Sequence, residues 1–324
     1  MPRYGYLLPT RGSVLGSDDP QTLAAKTAAD VVGLARRAEA LGFESVWVGD
    51  SVLAKPRHEP FTTLAAIASA TDAVGLGTAV HLPVLRDPVH VAHQTATIDQ
   101  LSGGRLNWGV GVGSGTDVEA EYANLGIPFG ERGARMDELL DVVADLWSGG
   151  SVDYDGDFYR LEDASIGFSP ATEPRIYLAT SSFDPDEGLP RPIEARLVAH
   201  GTGWLPIAVS PAEYEAGLSA VRSALADAGR SPDGLDPAIY LDVVIDEDEE
   251  RALDAARRFY EGYYTAWDHP LADERLREIG EFGSAEAVAA TFDAYADAGV
   301  ETFVVRFTAP DQRGQLRRFA DLVR

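Results

Sequence analysis

Short apolar runs rich in β-branched residues alternate along this chain with longer stretches whose apolar positions recur every three or four residues. The first pattern is that of a buried strand, the second that of a helix with one face turned to a core. Tyr4 to Leu8 predicts a first strand. Ala28, Val31, Leu34, Ala35, Ala38 and Leu41 then keep a helical stripe that stops at Gly42, with Asp18 or Asp19 ahead of Pro20 as candidate caps. The pattern goes on to predict strands over 45–49, 75–80 and 106–111 and helices over 62–70 and 89–101. A strong helix is expected over 132–147, where Met136, Leu139, Leu140, Val143 and Trp147 share a face. Further strands follow over 175–179, 203–205, 238–245 and 302–307, each with a helical stretch behind it.

Eight strands, each followed by a helix, is the count of an α/β fold of the (β/α)8 TIM barrel type. The rhythm breaks twice, so insertions are expected after strands four and seven. In the first of them, Asp153 to Tyr159 predicts a small hairpin with Asp155-Gly156 at its turn. That insertion, from about Ser114 to Pro174, is expected to cover part of the barrel mouth. One internal echo supports repeated units: Gly42-Phe43-Glu44-Ser45-Val46 and Gly299-Val300-Glu301-Thr302-Phe303 both end a helix on Gly and open a strand on Ser or Thr. No linker divides the chain, and residues 1–324 are expected to form one domain.

Charge narrows the setting. Asp and Glu number 52 against 27 Lys and Arg, a net of −25. Such a chain repels phosphate backbones and anionic lipid, which argues against nucleic-acid and membrane partners. Lys26 and Lys55 are the only lysines. An acidic, Lys-poor surface predicts a halophilic cytosol, where salt screens carboxylate repulsion. The absence of cysteine excludes disulfides, thiolate metal sites and a Cys nucleophile. The first residues lack the basic and long apolar regions of a secretory leader, and no run reaches membrane-spanning length, so a soluble, cytoplasmic protein is expected.

In a barrel of this kind the chemistry sits at the C-terminal ends of the strands. Those ends carry Asp50 and Ser51; Thr78, Ala79 and His81; Gly111, Val112, Gly113 and Ser114; Thr180, Ser181 and Ser182; Trp204; and Arg306. Asp50 is a candidate for a polar contact to a cofactor or a proton relay, and His81 for a general acid or base. Gly109-x-Gly111-x-Gly113 lacks the spacing and acidic partner of a dinucleotide fold, and reads instead as room for a flat ring beside the strand. The hydroxyls and N–H groups of Thr180, Ser181 and Ser182 suit a phosphate. Arg132 is a further candidate for that phosphate, and Trp204 for a pocket wall. His90 and His93 lie three apart but lack a carboxylate to complete a ligand set, so no metal is expected.

Several blocks together carry a family resemblance. They are Gly42 to Asp50 (Gly-Phe-Glu-Ser-Val-Trp-Val-Gly-Asp), Glu59-Pro60-Phe61-Thr62-Thr63-Leu64, Leu76-Gly77-Thr78-Ala79-Val80 with Arg86-Asp87-Pro88-Val89, Leu101-Ser102-Gly103-Gly104-Arg105-Leu106 leading to Gly109–Gly113, and Gly126-Ile127-Pro128-Phe129 with Glu131-Arg132. The chain thereby resembles the bacterial-luciferase-like superfamily, which holds flavin-dependent monooxygenases and deazaflavin (F420)-dependent reductases and dehydrogenases. The resemblance implies a barrel, often dimeric, that binds reduced FMN or F420 at the strand ends. It implies a non-proline cis peptide at Ala79–Val80, and it points to the Thr180–Ser182 loop for the cofactor phosphate. F420-using relatives often carry an Asp-His pair where this chain has Asp50-Ser51. Luciferases proper carry a Cys and an Arg near Gly111 and Val112; this chain has neither, and light emission is not implied.

The resemblance leads to a flavin-dependent monooxygenase using reduced FMN and O2 on a small organic substrate, with a separate flavin reductase as partner. The alternative is F420-dependent hydride transfer without O2. A non-catalytic flavin-binding protein is a third reading, and a metal-dependent hydrolase a fourth with a poor ligand set. A homodimer is expected from the resemblance and from the apolar, Ala-rich stretch between Leu64 and Ala73, with helices two and three at the contact.

Overall fold

The computed structural model describes residues 1–11, 20–55, 57–180, 183, 188–264 and 270–324, with the backbone alone for 20–29. The candidate caps Asp18 and Asp19 lie outside the described residues. In chain order, the first half holds β1 (Arg3–Leu7), α1 (Pro20–Ala40), β2 (Ser45–Val48), α2 (Pro60–Ala68), β3 (Gly75–Thr78), α3 (Pro88–Ser102), β4 (Leu106–Val110), α4 (Thr116–Asn124), α5 (Arg132–Trp147), β5 (Val152–Asp155) and β6 (Arg160–Ala164). The second half holds β7 (Arg175–Thr180), α6 (Arg191–His200), β8 (Gly203–Pro206), α7 (Pro211–Asp227), β9 (Asp236–Ile245), α8 (Glu249–Tyr263), α9 (Asp273–Ile279), β10 (Gly280–Gly283), α10 (Ala285–Asp297), β11 (Thr302–Phe307) and α11 (Gln312–Leu322).

The parallel order β1-β2-β3-β4-β7-β8-β9-β11 closes on itself through β11–β1 and β8–β9, giving the (β/α)8 barrel that the alternation predicts. The strands read as continuous apolar runs because both faces are covered, one by the barrel interior and one by helices. Inside, Leu7, Trp47, Tyr177, Leu205, Ala238, Tyr240 and Val304 fill the barrel. Trp47 is accommodated by glycine on both neighbouring strands: a Cβ at Gly77 would lie 2.1 Å from its ring and one at Gly5 2.4 Å from its Nε1. This is close packing of a large ring against small neighbours. Below it, Asp236 accepts from Tyr177 (2.7 Å) and Thr302 (2.8 Å) and pairs with Arg3 (2.8 Å), sealing the N-terminal end.

The two echoed segments flank β1. Gly42 and Gly299 both adopt positive φ, 89° and 100°, which ends each helix as an αL cap. The following Ser45 and Thr302 align with Gly5 and Arg3 of β1.

Three features depart from the sequence reading. The β3 ladder to β2 stops at Thr78 rather than Val80, and pairing resumes only at His81, which bridges Val110. The insertion after β4 is divided: 114–131, with α4, lies on the mouth side, whereas the β5–β6 hairpin follows α5 and so starts at the opposite end of the barrel. The hairpin runs back along α5, where Glu138 accepts from the backbone N–H groups of Asp157 (2.8 Å), Phe158 (3.0 Å) and Tyr159 (3.2 Å). The insertion after β9 contains a strand that its short, Gly-bounded sequence hid: β10 pairs with the upper half of β9, Gly280 opposite Asp242. The apolar stretch of α2 is also largely consumed inside the chain, with Leu64, Ile67 and Ala68 buried in its core.

Candidate functional site

Asp50 leaves the end of β2 and turns behind the end of β3. Its carboxylate takes both arms of Arg86, at 2.6 and 2.9 Å, and the backbone N–H of Leu82 at 3.0 Å. The side chain is wholly buried. Such a two-pronged, charge-assisted arrangement fixes geometry as well as charge. It clamps the segment after β3 onto β2. Sequence reasoning quoted Arg86 only within a block and assigned it no role; its partner became visible only when β2 and β3 were placed side by side.

His81 belongs to the same cluster. Its ring has no exposed surface and lies edge-on to Phe61 at 4.7 Å. Nδ1 accepts from Trp108 Nε1 at 3.1 Å, which places the ring hydrogen on Nε2. Nε2 is 3.8 Å from Asp50 Oδ2, beyond hydrogen-bond reach, and is left without a partner. Burial, reinforced by the Arg86 charge, holds His81 well below the usual imidazole range. A neutral ring sealed from the mouth supports the wall behind the site and offers no atom to a substrate.

Between these two residues and the mouth lies the end of β3, where the Ala79–Val80 peptide is cis, as the resemblance implies. The three glycines of β4 and its loop act differently from one another. A Cβ on Gly109 would lie 2.0 Å from the Thr78 carbonyl oxygen, so that residue permits the close approach of β3. A Cβ on Gly111 would lie 2.9 Å from Val80 Cγ2 on the β3 side and 3.9 Å from the Ala179 methyl on the adjacent β7. Gly113 has positive φ. Of the three, Gly109 is thus taken up by strand packing and Gly113 by its backbone conformation, while Gly111 lies between Val80 and Ala179. Ala79, Gly111 and Ala179 leave a floor of hydrogens and methyls at the ends of β3, β4 and β7.

The remaining sequence candidates lie around this floor rather than on it. Thr78 turns outward and donates to the Gly109 carbonyl at 2.7 Å. Ser51 accepts from Lys55 N–H at 2.8 Å and donates to Glu121 at 3.3 Å, ordering the loop after β2. Glu121, absent from the candidates, is buried on α4 and also takes the N–H of Leu53 at 2.5 Å and that of Val52. The Val112 carbonyl accepts from Tyr122 at 3.0 Å. Arg132 donates to the carbonyls of Phe129 (2.7 Å) and Gly113 (3.4 Å) and stacks on the Phe129 ring, bracing the loop after β4. Trp204 was expected to wall the pocket. It lies outside the barrel instead, stacked on Tyr214 of α7, because its position on β8 alternates outward. Its Nε1 donates to Thr180 at 3.1 Å, so both side chains sit behind the strand. Ser181 and Ser182 lie outside the described residues.

On the β1, β2 and β11 side the mouth is cationic. Arg306 points inward from β11 and pairs with Asp242 at the same register step of β9, Nε to Oδ1 2.6 Å, with a second contact from Nη2 to Oδ2. Burial works against the Arg306 charge, but Asp242 and the surrounding tyrosine oxygens hold its pKa well above the usual range. Tyr260 donates to the same carboxylate. Arg57 folds over Gly49 and its Nη2 donates to Tyr263 at 2.7 Å. Arg11 donates to the Tyr263 carbonyl at 2.6 Å and lies 4.0 Å over its ring. Of these residues the sequence analysis singled out Arg306 alone; a charge within an apolar strand was the signal, and the same signal was present at Asp242.

Comparison with known proteins places this geometry. The sequence model of the luciferase-like monooxygenase family matches residues 2–323, and the chain belongs to that family, a family of oxidoreductases. Among curated proteins, an F420-dependent glucose-6-phosphate dehydrogenase of Kribbella flavida is 31% identical over 90% of this chain and 92% of its own. A 5,10-methylenetetrahydromethanopterin reductase of Archaeoglobus fulgidus is 30% identical over 68% of this chain and 61% of its own. Among solved structures, an F420-dependent secondary alcohol dehydrogenase in complex with an F420–acetone adduct superposes with TM-score 0.81, at 21% identity, over 99% of this chain and 98% of its own. The monooxygenase RslO1 of Streptomyces bottropensis superposes with TM-score 0.79, at 25% identity and the same coverage.

Proposed function

We propose that this protein is an F420-dependent oxidoreductase that moves a hydride between the deazaflavin and a small organic substrate, without O2. The observation that carries this reading is the 31% identity, over nine-tenths of both chains, to a relative named as F420-dependent. The resemblance alone put reduced FMN first; the named relatives reverse that order.

The residues present fit a flat ring. Ala79, Gly111 and Ala179 form a floor of small residues, with Arg57 over Gly49 at its edge and Asp50, Arg86 and His81 holding it from behind. When bound, F420 supplies the carbon centre that takes up or returns the hydride. The chain's own part is to orient ring and substrate and to keep water from the reacting face. The Thr180–Ser182 loop remains the proposed phosphate contact, through backbone N–H groups rather than the Thr180 hydroxyl that Trp204 already engages.

Equilibrium binding of F420 and FMN, compared side by side, tests the reading. F420 is expected to bind at least tenfold more tightly than FMN. The second reading, a monooxygenase using reduced FMN from a separate reductase, is favoured by the likeness to RslO1. Substrate-dependent O2 uptake with reduced FMN would establish it in place of the first. A homodimer is also proposed, on family grounds now that α2 is occupied within the chain; a monomer by light scattering at high salt refutes it.

A further inference from the structure

We propose that Arg11, Lys55 and Arg57 form a subsite for an oxyanion carried by the substrate, at the rim of the mouth where β1, β2 and β11 end. The inference deepens the proposed function and rests on it for the role of substrate.

The rim holds a small cleft of about 20 Å³, partly open to solvent, lined among others by Leu8, Pro9, Arg11, Gly49, Arg57 and Tyr263. The chain as a whole carries a net charge of −25, yet here cations converge. Arg306 is answered by Asp242. Among the described residues no carboxylate lies within ion-pair distance of Arg11, Lys55 or Arg57. They rest on aromatic rings instead: Arg11 4.0 Å from the Tyr263 centroid, Lys55 4.6 Å from that of Tyr264, Arg57 5.8 Å from that of Tyr263. The Nε atoms of Arg11 and Arg57 are buried and have no hydrogen-bond partner among the described residues. A cation withdrawn from water without a carboxylate beside it is costly, and unsatisfied donors of this kind mark a place where a ligand completes the set. Guanidinium forks match the paired oxygens of carboxylate and phosphate.

Position assigns the oxyanion to the substrate. Around the barrel β1 stands opposite β7, so the subsite faces the end of β7 at Thr180 across the mouth. The proposed phosphate contact of the cofactor is on that far side. Arg57 meanwhile lies against Gly49, which borders the Ala79 carbonyl, so an oxyanion held there is anchored beside the ring floor.

Tyr263 supports the assignment. Burial would raise its pKa, but Arg57, Arg306, Arg11 and Lys55 bring it down to about 7. The groups facing it are Arg11 after β1, Lys55 and Arg57 after β2, Tyr240 on β9, Tyr264 at the end of α8, and Arg306 on β11. These cations therefore draw Tyr263 toward its phenolate form. An entering oxyanion offsets that pull and raises the phenol pKa, so binding takes up a proton above pH 7 and weakens as pH rises.

The test uses the full chain without cofactor, titrated calorimetrically with inorganic phosphate and with acetate at fixed chloride, while phenolate absorbance is recorded. At least one probe is expected to bind, with loss of phenolate absorbance at pH 8. Arg57→Gln and Arg11→Gln should each weaken binding tenfold or more. With acetate, whose charge is constant over the range, Tyr263→Phe should bind with little pH dependence between 6 and 9, whereas the wild type weakens. Tighter binding of phosphate assigns a phosphomonoester, and tighter binding of acetate a carboxylate. Unchanged affinity for both probes in the folded Arg variants overturns the proposal. If those variants do not fold, unchanged phenolate absorbance in the wild type at saturating probe overturns it. Arg57→Gln that loses F420 affinity but keeps both probes would assign the cations to the cofactor and also overturn it. A protein that binds a probe but not F420 keeps the oxyanion site and loses the proposed function.

Discussion

Asp50 and Arg86 face each other as a two-pronged pair, at 2.6 and 2.9 Å, behind the end of β3. The residue that the sequence offered as a cofactor contact is thus spent on holding the strand segment under the mouth. Asp50 acts through that segment, and its role is positional.

Breaking the pair should therefore cost stability first. Arg86→Ala leaves a buried carboxylate with one backbone N–H, and a loss of about 3–5 kcal/mol is expected for removing one partner of a buried pair. Asp50→Asn should unfold at lower denaturant with unchanged slope, and bind F420 more weakly. Chemical denaturation of both variants checks this; wild-type stability in Arg86→Ala would contradict the clamp.

His81 makes stability depend on pH. Its folded pKa is depressed by burial and by Arg86, so the unfolded chain binds a proton that the folded one refuses. Its stabilising contribution is complete above the unfolded value of about 6.5 and is lost as pH falls below it, by up to ~1.4 kcal/mol per pH unit. His81→Gln should flatten the stability profile between pH 6.5 and 5.5 relative to wild type. Parallel profiles would show that the ring takes up a proton without penalty.

Gly111 provides a steric test of the floor. Gly111→Leu must displace Val80, since a Cβ alone would come to 2.9 Å of its Cγ2. Overpacking of this kind costs about 1–3 kcal/mol, which the fold can absorb, while the mouth is filled. F420 affinity should fall at least tenfold. Gly150→Leu, where a Cβ would meet only the Ser148 hydroxyl at 3.7 Å, should bind normally. Normal binding by folded Gly111→Leu removes the ring from this floor.

The excess of 52 acidic over 27 basic residues predicts stabilisation by salt. Raising KCl from about 0.1 to 2 M shortens the Debye length from roughly 10 Å to below 3 Å, screening repulsion between surface carboxylates. The unfolding midpoint should rise across that series. Equal stability at both ends would remove the halophilic reading.

The elements that were legible are those whose periodicity is long or whose boundaries carry turn chemistry. Helix α5 was predicted to the residue because its apolar face repeats over four turns. Gly42 and Gly299 announced their helix ends by residue type, and both adopt the positive φ that favours glycine. Strand β10 was missed because Gly-Glu-Phe-Gly has no alternation to read; it is a strand only through its pairing with β9. Trp204 was placed on the wrong side because a four-residue strand with apolar residues on both faces does not reveal which one points inward.

The sequence by itself determined the succession of strands and helices, the barrel they close, the small residues at the strand ends and the acidic surface, because each depends on local periodicity or on composition. Only the tertiary structure decided which of those strand-end residues meet. Asp50 with Arg86, Asp242 with Arg306 and Arg57 with Tyr263 are separated by 36, 64 and 206 residues, and their contacts depend on the register of neighbouring strands and the direction of each side chain. A one-residue change of register reverses every inward and outward position on a strand, and no local pattern in a doubly buried strand fixes it.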